Sequence, residues 1–305
     1  MPLPSLNPTI EKETAQLFEN PFEVITPPES NQAPVILCLP HSGRTYPLEF
    51  IRQSRLEINK LRRSEDSFVD ALLENAPQEG ASMIVARFPR AWLDVNREPY
   101  ELDPTMFSEP LPPHVNRHSP RVGAGLGVIA RIVSEDVNIY KAPLQFAEVE
   151  QRIRHLYFPF HTQLQTLMTN LRHRFGYAVL VDCHSMPSGP ISTTGMADIV
   201  LGDRYATTAT SALVDHIESH LTHAGYKVAR NRPYAGGFIT QRHGHPSLDL
   251  HALQIEINRA LYMNEKSFDL HHGFTKLQHD MTTMVREIVT LSPEDFGFSP
   301  KQAAQ

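Results

Sequence analysis

The central strand of the fold is predicted from one stretch of sequence, Tyr177-Ala-Val-Leu-Val-Asp-Cys-His-Ser185. Residues 177–181 are apolar at every position, which predicts a strand that is buried on both faces and does not lie at a sheet edge. Polar side chains follow at its carboxyl end, namely Asp182, His184 and Ser185. In open α/β sheets, ligands collect beyond the carboxyl ends of the strands, so a functional site is expected at this point.

Similar apolar runs occur on both sides of this stretch, and helical patterns separate them. Strands are predicted at 34–39, 82–87, 197–201, 226–230 and 252–257, and helices at 67–75, 145–175, 206–224 and 273–290. Pro159 predicts a kink in the helix at 145–175, and Gly225 is suited to end the helix at 206–224. The alternation predicts an α/β fold with a mixed, largely parallel sheet covered by helices on both faces.

The composition is that of a globular protein. The chain has 305 residues, of which 41% are hydrophobic, and its formal net charge is −6. The apolar share excludes a disordered chain, and the acidic balance argues against partners that are nucleic acids or anionic membranes. We expect one domain over residues 1–305, with an irregular segment over about the first thirty, which are rich in Pro and Glu.

Membrane-spanning and secretory segments have recognisable sequence patterns. The apolar runs are too short to span a membrane, and the N-terminus lacks the basic-then-apolar layout of a secretory signal. Two cysteines, Cys38 and Cys183, cannot form a disulfide framework. A cytoplasmic protein is therefore expected, and nothing in the sequence indicates an oligomeric state.

Two histidines stand at the ends of predicted strands. His41 follows residues 34–39, His184 follows residues 177–182, and Glu256 lies near the end of the strand at 252–257. Zn²⁺ binds neutral histidine nitrogens together with a carboxylate and keeps a further position for water. The histidines could instead cap their strands, so a metal site is one of two interpretations.

Two other motifs invite a functional interpretation. Leu93-Asp-Val-Asn-Arg97 places an amide beside a guanidinium, a pair that suits a substrate carboxylate. On these residues alone, a structural ion pair between Asp94 and Arg97, or between Arg90 and Asp94, is the favoured interpretation. Gly236-Gly-Phe-Ile-Thr240 would let the backbone approach another group closely, and it lacks the context of a nucleotide-binding loop.

Taken in order, these motifs resemble those of the N-formylglutamate amidohydrolase family. The matching blocks are Pro40-His-Ser-Gly43 with Tyr46-Pro47, Asp66 with Phe68-Val-Asp70, Leu93–Arg97, Gly125-Leu-Gly-Val-Ile-Ala-Arg131, Asp182-Cys-His-Ser185, Gly236–Thr240 and Leu253-Gln-Ile-Glu-Ile-Asn-Arg-Ala-Leu-Tyr262. The resemblance implies a fold like that of zinc carboxypeptidases and aspartoacylases. It also implies one zinc ion and hydrolysis of N-formyl-L-glutamate to formate and glutamate, in histidine breakdown.

The resemblance also implies roles for individual residues. His41 and His184 look like two zinc ligands. Position 44, where related sites carry a glutamate, is Arg44, so the acidic ligand is expected to be Asp66, with Glu65 as the second choice.

The remaining roles concern the substrate and the proton. Glu256 resembles the general base of these enzymes. Asn96 and Arg97 resemble the pair that holds a substrate carboxylate, and Arg131 is a candidate both for a second carboxylate and for the oxyanion.

Three alternatives stay open at the level of sequence. The chain could act on another small N-acyl amino acid, or it could bind acidic amino acids through Arg97 and Arg131 without catalysis. Cys183 could serve as a nucleophile beside His184, although neighbours in a strand point to opposite faces.

Overall fold

A seven-stranded sheet with the spatial order β1-β3-β2-β4-β7-β5-β6 organises the fold. Its strands are β1 (Phe22–Ile25), β2 (Val35–Leu39), β3 (Ser82–Ala86), β4 (Ala178–Met186), β5 (Ile199–Gly202), β6 (Val228–Arg230) and β7 (Leu250–Asn258). The pairs β2–β3, β2–β4, β4–β7 and β5–β6 are parallel, and β5–β7 is antiparallel. The predicted mixed, largely parallel sheet is confirmed.

The computed structural model describes residues 8–133, 137–189, 197–292 and 294. Clustering of contacts divides the chain into two units. The first comprises Met1–Glu23, His41–Glu65 and Ala86–Thr162, and the second comprises Val24–Pro40, Asp66–Val85 and Gln163–Gln305. The single domain expected from the sequence stays a prediction.

Ten α-helices occur in the described ranges. They are α1 (Pro8–Glu19), α2 (Leu48–Gln53), α3 (Ile58–Leu61), α4 (Val69–Leu72), α5 (Pro120–Gly123), α6 (Phe146–Arg152), α7 (Phe158–Phe175), α8 (Ser211–His223), α9 (Phe238–His243) and α10 (Gly273–Thr290). A two-stranded ribbon of β8 (Met263–Asn264) and β9 (Asp269–Leu270) precedes α10. No helix in these ranges is both long and apolar enough to cross a membrane.

One hydrophobic core cluster lies on one face of the sheet. Alternate residues of the strands, such as Val179, Val181 and Leu253, pack there with residues of α4, α8 and α10. On β4 and β7, Asp182, His184, Gln254 and Glu256 occupy the intervening positions and so point to the opposite face. Helix α9 packs against β4 and β7, and the amide of Gly237 at its start donates to Gln254 on that opposite face.

Several predicted elements differ from the structure in their bounds. The first thirty residues, expected to be irregular, contain α1 and β1. Two of their prolines are compatible with these elements, because Pro8 is the first residue of α1, where a helix tolerates proline, and Pro21 directly precedes β1. The helix predicted at 67–75 is reduced to α4. Its start at Phe68 has a left-handed conformation (φ of 66°), which an α-helix cannot contain.

The long helix is interrupted close to the predicted kink. A π-helical segment, Ile153–Tyr157, joins α6 to α7, and Pro159 is the second residue of α7. Proline has no N–H with which to continue the α-helical ladder, and the π-helical segment lies directly before this point. The terminal helix has its predicted bounds, residues 273–290.

Candidate active site

His41 comes directly after β2 and Pro40, and its side chain is buried. Its Nε2 lies 2.7 Å from Oδ1 of Asp94 on the loop that follows β3. A Cβ added to Gly43 would stand 2.2 Å from the carbonyl oxygen of Phe88. Only glycine therefore fits at this turn, which accounts for the glycine in Pro-His-Ser-Gly.

Asp94 fixes the proton of the His41 ring. Burial alone would raise the pKa of Asp94, but the charges of Arg97, His41 and Arg90 hold that pKa well below its usual range. An ionised carboxylate only accepts hydrogen bonds, so Nε2 of His41 donates to it. In the neutral imidazole Nδ1 then carries the lone pair, which is the form that binds a metal ion.

His184 lies within β4, which continues to Met186, beyond the predicted end. Its Nδ1 is 2.9 Å from Oδ2 of Asp66, and its Nε2 is 3.0 Å from Oδ1 of Asp182. Asp182 precedes it by two residues on the same strand, so both side chains point to one face. A buried carboxylate thus holds each of the two histidines, Asp94 for His41 and Asp182 for His184.

The carboxylates around His184 favour a positive charge at this position, carried either by the protonated ring or by a metal ion. Burial alone would lower its pKa, but the charges of Asp182, Asp66 and Glu256 raise that pKa well above its ordinary value. A bound metal ion would satisfy the same carboxylates, and its binding would displace the proton from the ring.

His41, Asp66 and His184 form a group with the chemistry of a metal site, which we call the triad. Each offers one ligand atom, and these atoms lie within 4.8 Å of one another. Bonds of about 2.1 Å to a single ion would bring two ligand atoms to within roughly 4 Å. The triad is therefore close to ligating geometry, and its N, N, O donor set fits Zn²⁺.

Asp66 is also held by neutralising partners. Its Oδ1 accepts a hydrogen bond from Nη2 of Arg259 at 3.2 Å and one from Oγ of Ser185 at 3.3 Å. Nε of Arg259 donates to the same Ser185 hydroxyl at 3.0 Å. Arg259 begins the 3₁₀ turn Arg259–Leu261, which Asn258 caps. The guanidinium balances the buried negative charge of Asp66. The other carboxylate oxygen of Asp66, Oδ2, faces Nδ1 of His184.

Glu256 is the neighbour of His184 in the sheet. The two residues are opposite one another in the β4–β7 register, and Glu256 is only 8% exposed. Oε1 of Glu256 accepts a hydrogen bond of 2.8 Å from Nε2 of Gln254. A buried carboxylate beside a candidate ligand is well placed for proton transfer.

A sequence model of the N-formylglutamate amidohydrolase family matches residues 33–263. The chain belongs to this family. The resemblance seen in the motifs is confirmed, and so is the assignment of the chain to the amidohydrolases, which are hydrolases of amide bonds.

Known proteins show the same likeness. The N-formylglutamate deformylases of Pseudomonas putida and Pseudomonas aeruginosa are each 26% identical to the chain. The alignments cover 76% and 77% of the chain and 82% and 84% of those proteins. The crystal structure of N-formylglutamate amidohydrolase from Ralstonia eutropha JMP134 is similar with a TM-score of 0.83 and 36% identity, over 88% of this chain and 97% of that one.

The family motif Leu93–Arg97 is already engaged within the protein. Arg97 donates from Nε to the carbonyl of Leu126 and from Nη1 to that of Asn96, both at 2.8 Å, and its Nη2 lies 3.6 Å from Asp94. Hence the alternative ion pair with Asp94 is present. The backbone N–H of Asn96 also donates to Asp94. A substrate carboxylate would use the remaining hydrogens of the guanidinium, and that role stays a prediction.

Arg131 lies in different surroundings. Its Nε is 2.9 Å from Oδ2 of Asp103, and its side chain is 29% exposed. It lines a cavity of about 160 Å³ together with Arg55 and Lys141, among others. Its catalytic role stays a prediction.

The structure disfavours two alternatives from the sequence, namely Glu65 as the acidic ligand and Cys183 as a nucleophile. Glu65 accepts a hydrogen bond from the Tyr46 hydroxyl at 2.8 Å and lies 3.3 Å from Arg62, whereas Asp66 belongs to the triad. Burial raises the pKa of the Cys183 thiol well above its ordinary value, and Cys183 points to the sheet face opposite to His184. A buried, protonated thiol is a poor nucleophile.

Sequence reasoning left four residues of the site without a role. These are Asp94, Asp182, Gln254 and Arg259. Alternation along β4 and β7 could have pointed to Asp182 and Gln254, which share a sheet face with His184 and Glu256. The pairings of Asp94 with His41 and of Arg259 with Asp66 join distant parts of the sequence, so spacing could not show them.

Proposed function

We propose that the protein hydrolyses N-formyl-L-glutamate to formate and glutamate, with one zinc ion held by His41, Asp66 and His184. The observation that carries the proposal is the buried triad in a chain of the N-formylglutamate amidohydrolase family. Deformylases named for this substrate in two Pseudomonas species support the choice of substrate.

The donor set meets the requirements of a catalytic zinc site. Two imidazoles and one carboxylate leave a coordination position for water or substrate. Outer carboxylates orient both rings, as is usual for metal-bound histidine. When bound, the ion would supply Lewis acidity, which polarises a carbonyl oxygen and lowers the pKa of a bound water to about 7.

Glu256 carries the proton in this proposal. Its carboxylate accepts a proton from the attacking water as the C–O bond to the formyl carbon forms. It then delivers that proton to the nitrogen of the leaving amine as the C–N bond breaks. Glutamate leaves as the amine, formate carries the new oxygen, and Glu256 returns to its ionised form.

Arg97 and Asn96 hold the substrate in place. The guanidinium is suited to the α-carboxylate, and the amide of Asn96 can accept from or donate to the substrate amide. Arg131 is proposed to meet either the second carboxylate or the oxyanion.

The proposal is tested by formate release from a panel of N-acylated amino acids. N-formyl-L-glutamate should be the best substrate. Glu256→Gln should keep the metal content and lower kcat about 10²- to 10⁴-fold. His184→Ala should lose both metal and turnover, whereas His279→Ala, at an exposed position of α10, should lose neither. Full turnover in Glu256→Gln would reject the assigned base, and preference for another acyl group would reject the substrate.

A further inference from the structure

The glycine motif Gly236-Gly237 has no part in the function proposed so far. It precedes α9, and the backbone N–H of Gly237 donates a hydrogen bond of 2.7 Å to Oε1 of Gln254. Nε2 of the same Gln254 side chain donates to Oε1 of Glu256 at 2.8 Å. A continuous path of two hydrogen bonds therefore runs from the start of α9 to the proposed general base.

The orientation of the Gln254 amide follows from its partners. A backbone N–H can only donate, so the atom that faces Gly237 is the carbonyl oxygen. The NH₂ group must then face Glu256, and it stabilises the carboxylate there. Both side chains are buried, with exposures of 4% for Gln254 and 8% for Glu256. Water competes little for this bond, so the carboxylate is held in one orientation.

Gly236 makes the path possible. Its φ of +118° is one that residues with a side chain rarely adopt, and an added Cβ would stand 2.7 Å from Oγ1 of Thr240. Its carbonyl oxygen accepts a hydrogen bond from Nη1 of Arg204. This conformation directs the N–H of the next residue towards β7, where Gln254 receives it.

We propose that Gln254 is a positioning residue that aligns Glu256 for proton transfer, anchored by the Gly237 amide. The proposal rests on the proposed function, because it needs Glu256 to be the general base. In this proposal the Gly236-Gly237 motif does not contact a ligand. It holds Gln254, and through Gln254 it positions the general base Glu256.

The test is a double-mutant cycle measured on N-formyl-L-glutamate with the zinc-loaded enzyme. Gln254→Met keeps the side-chain volume and removes the amide. A misaligned base should lower kcat about 10- to 100-fold while KM and zinc content stay near the wild-type values. In the Glu256→Gln background the same substitution should change kcat less than about twofold, because the base that it aligns is already absent.

Gln278→Met is the matched control. Nε2 of Gln278 also donates to a glutamate, Glu74, at 3.0 Å, but on the surface between α10 and α4. Its kcat should equal that of the wild type. If Gln254→Met lowers kcat equally in the wild-type and Glu256→Gln backgrounds, Gln254 is merely structural and the proposal is wrong. Unchanged kcat in Gln254→Met would overturn it as well.

A second variant covers the case in which Gln254→Met does not fold. Gln254→Glu keeps an acceptor for the Gly237 amide and replaces the donor to Glu256 with a second carboxylate. At pH 8.5 its kcat should fall with KM unchanged, and wild-type kcat would contradict the proposal. If Glu256→Gln itself retains full turnover, the proposed function fails first, which separates the two failures.

Discussion

At the scale of single residues, the site depends on carboxylates that do not belong to the triad. Asp94 and Asp182 each hold one ring nitrogen of a histidine, at 2.7 Å and 3.0 Å. A carboxylate at such a distance favours a proton on the nitrogen that faces it, which leaves the other nitrogen of the ring for a metal ion. Their loss should weaken the site even though every proposed ligand remains.

Asp182→Asn tests this role. The amide keeps the shape of the side chain but removes the charge that stabilises the Nε2 proton of His184. Zinc affinity should fall about 10- to 100-fold, as measured by competition with a chelator. Asp215→Asn removes an exposed carboxylate that pairs with Arg230, and it should leave zinc affinity unchanged. Equal affinities in the wild type and Asp182→Asn would show that Asp182 does not orient the ligand.

Arg97→Lys tests the proposed carboxylate anchor. Lysine keeps the charge but loses the planar fork, and a hydrogen bond to a charged group contributes about 1.5–3 kcal/mol. Therefore kcat/KM on N-formyl-L-glutamate should fall about 10- to 100-fold at constant metal content. Arg154→Lys, at an exposed position of the π-helical segment, should be neutral.

A substrate with an amidated α-carboxylate completes this test. The wild type should lose far more kcat/KM on that substrate than Arg97→Lys does. The reason is that the substitution and the amidated substrate remove the same interaction, the one between Arg97 and the α-carboxylate. Equal losses in the two proteins would exclude Arg97 as the anchor.

At the scale of elements, the turn after β2 and the strand pair β4–β7 position the chemistry. Register places His184 opposite Glu256 and Asp182 opposite Gln254. The turn after β2 carries His41, and it is shaped by Gly43 against the backbone of residues 87–88. Each proposed role thus depends on backbone placement as much as on the side chain.

Gly43→Ala should disturb this turn. The new methyl group would meet backbone atoms that cannot move aside, so the free energy of unfolding should fall by about 2 kcal/mol or more in urea titrations. Zinc affinity should fall as well. Gly123→Ala is the matched control, since a Cβ there meets nothing within 4 Å. Similar stability of Gly43→Ala and Gly123→Ala would contradict the close approach.

Local patterns predicted six of the seven strands of the main sheet, with β1 as the exception, and they predicted the helical regions of α4, α6, α7, α8 and α10. They also indicated that His41, His184 and Glu256 lie at the carboxyl ends of strands. They placed the end of the central strand too early, because Asp182 and His184 are polar residues that usually end a strand. In the structure both side chains are buried, and His184 contacts Asp66, which is 118 residues away in the chain. Such pairings depend on tertiary structure, and no short stretch of sequence contains them.

At the scale of the whole molecule, a buried histidine away from the site makes stability depend on pH. Burial lowers the pKa of His251 to about 4, whereas an unfolded histidine titrates near 6.5. Between these values the unfolded chain binds more protons than the folded protein. The stability that this residue contributes is therefore lost as pH falls from about 6.5 to about 4.

Urea titrations of the wild type and His251→Leu at pH 7.5 and pH 5 measure this effect. The wild type should lose about 2 kcal/mol more between the two pH values than the variant does. Other titrating groups are common to both proteins and cancel in the comparison. Identical pH dependence would mean that His251 is protonated in the folded state.

We propose that hydrolysis of N-formyl-L-glutamate needs one zinc ion, held by His41, Asp66 and His184. The most direct measurement is formate release by chelator-treated protein as zinc is added in known amounts. Turnover should start near zero, rise linearly and stop rising at one zinc ion per chain. Full turnover without metal, or a rise that continues to two ions per chain, would contradict the claim.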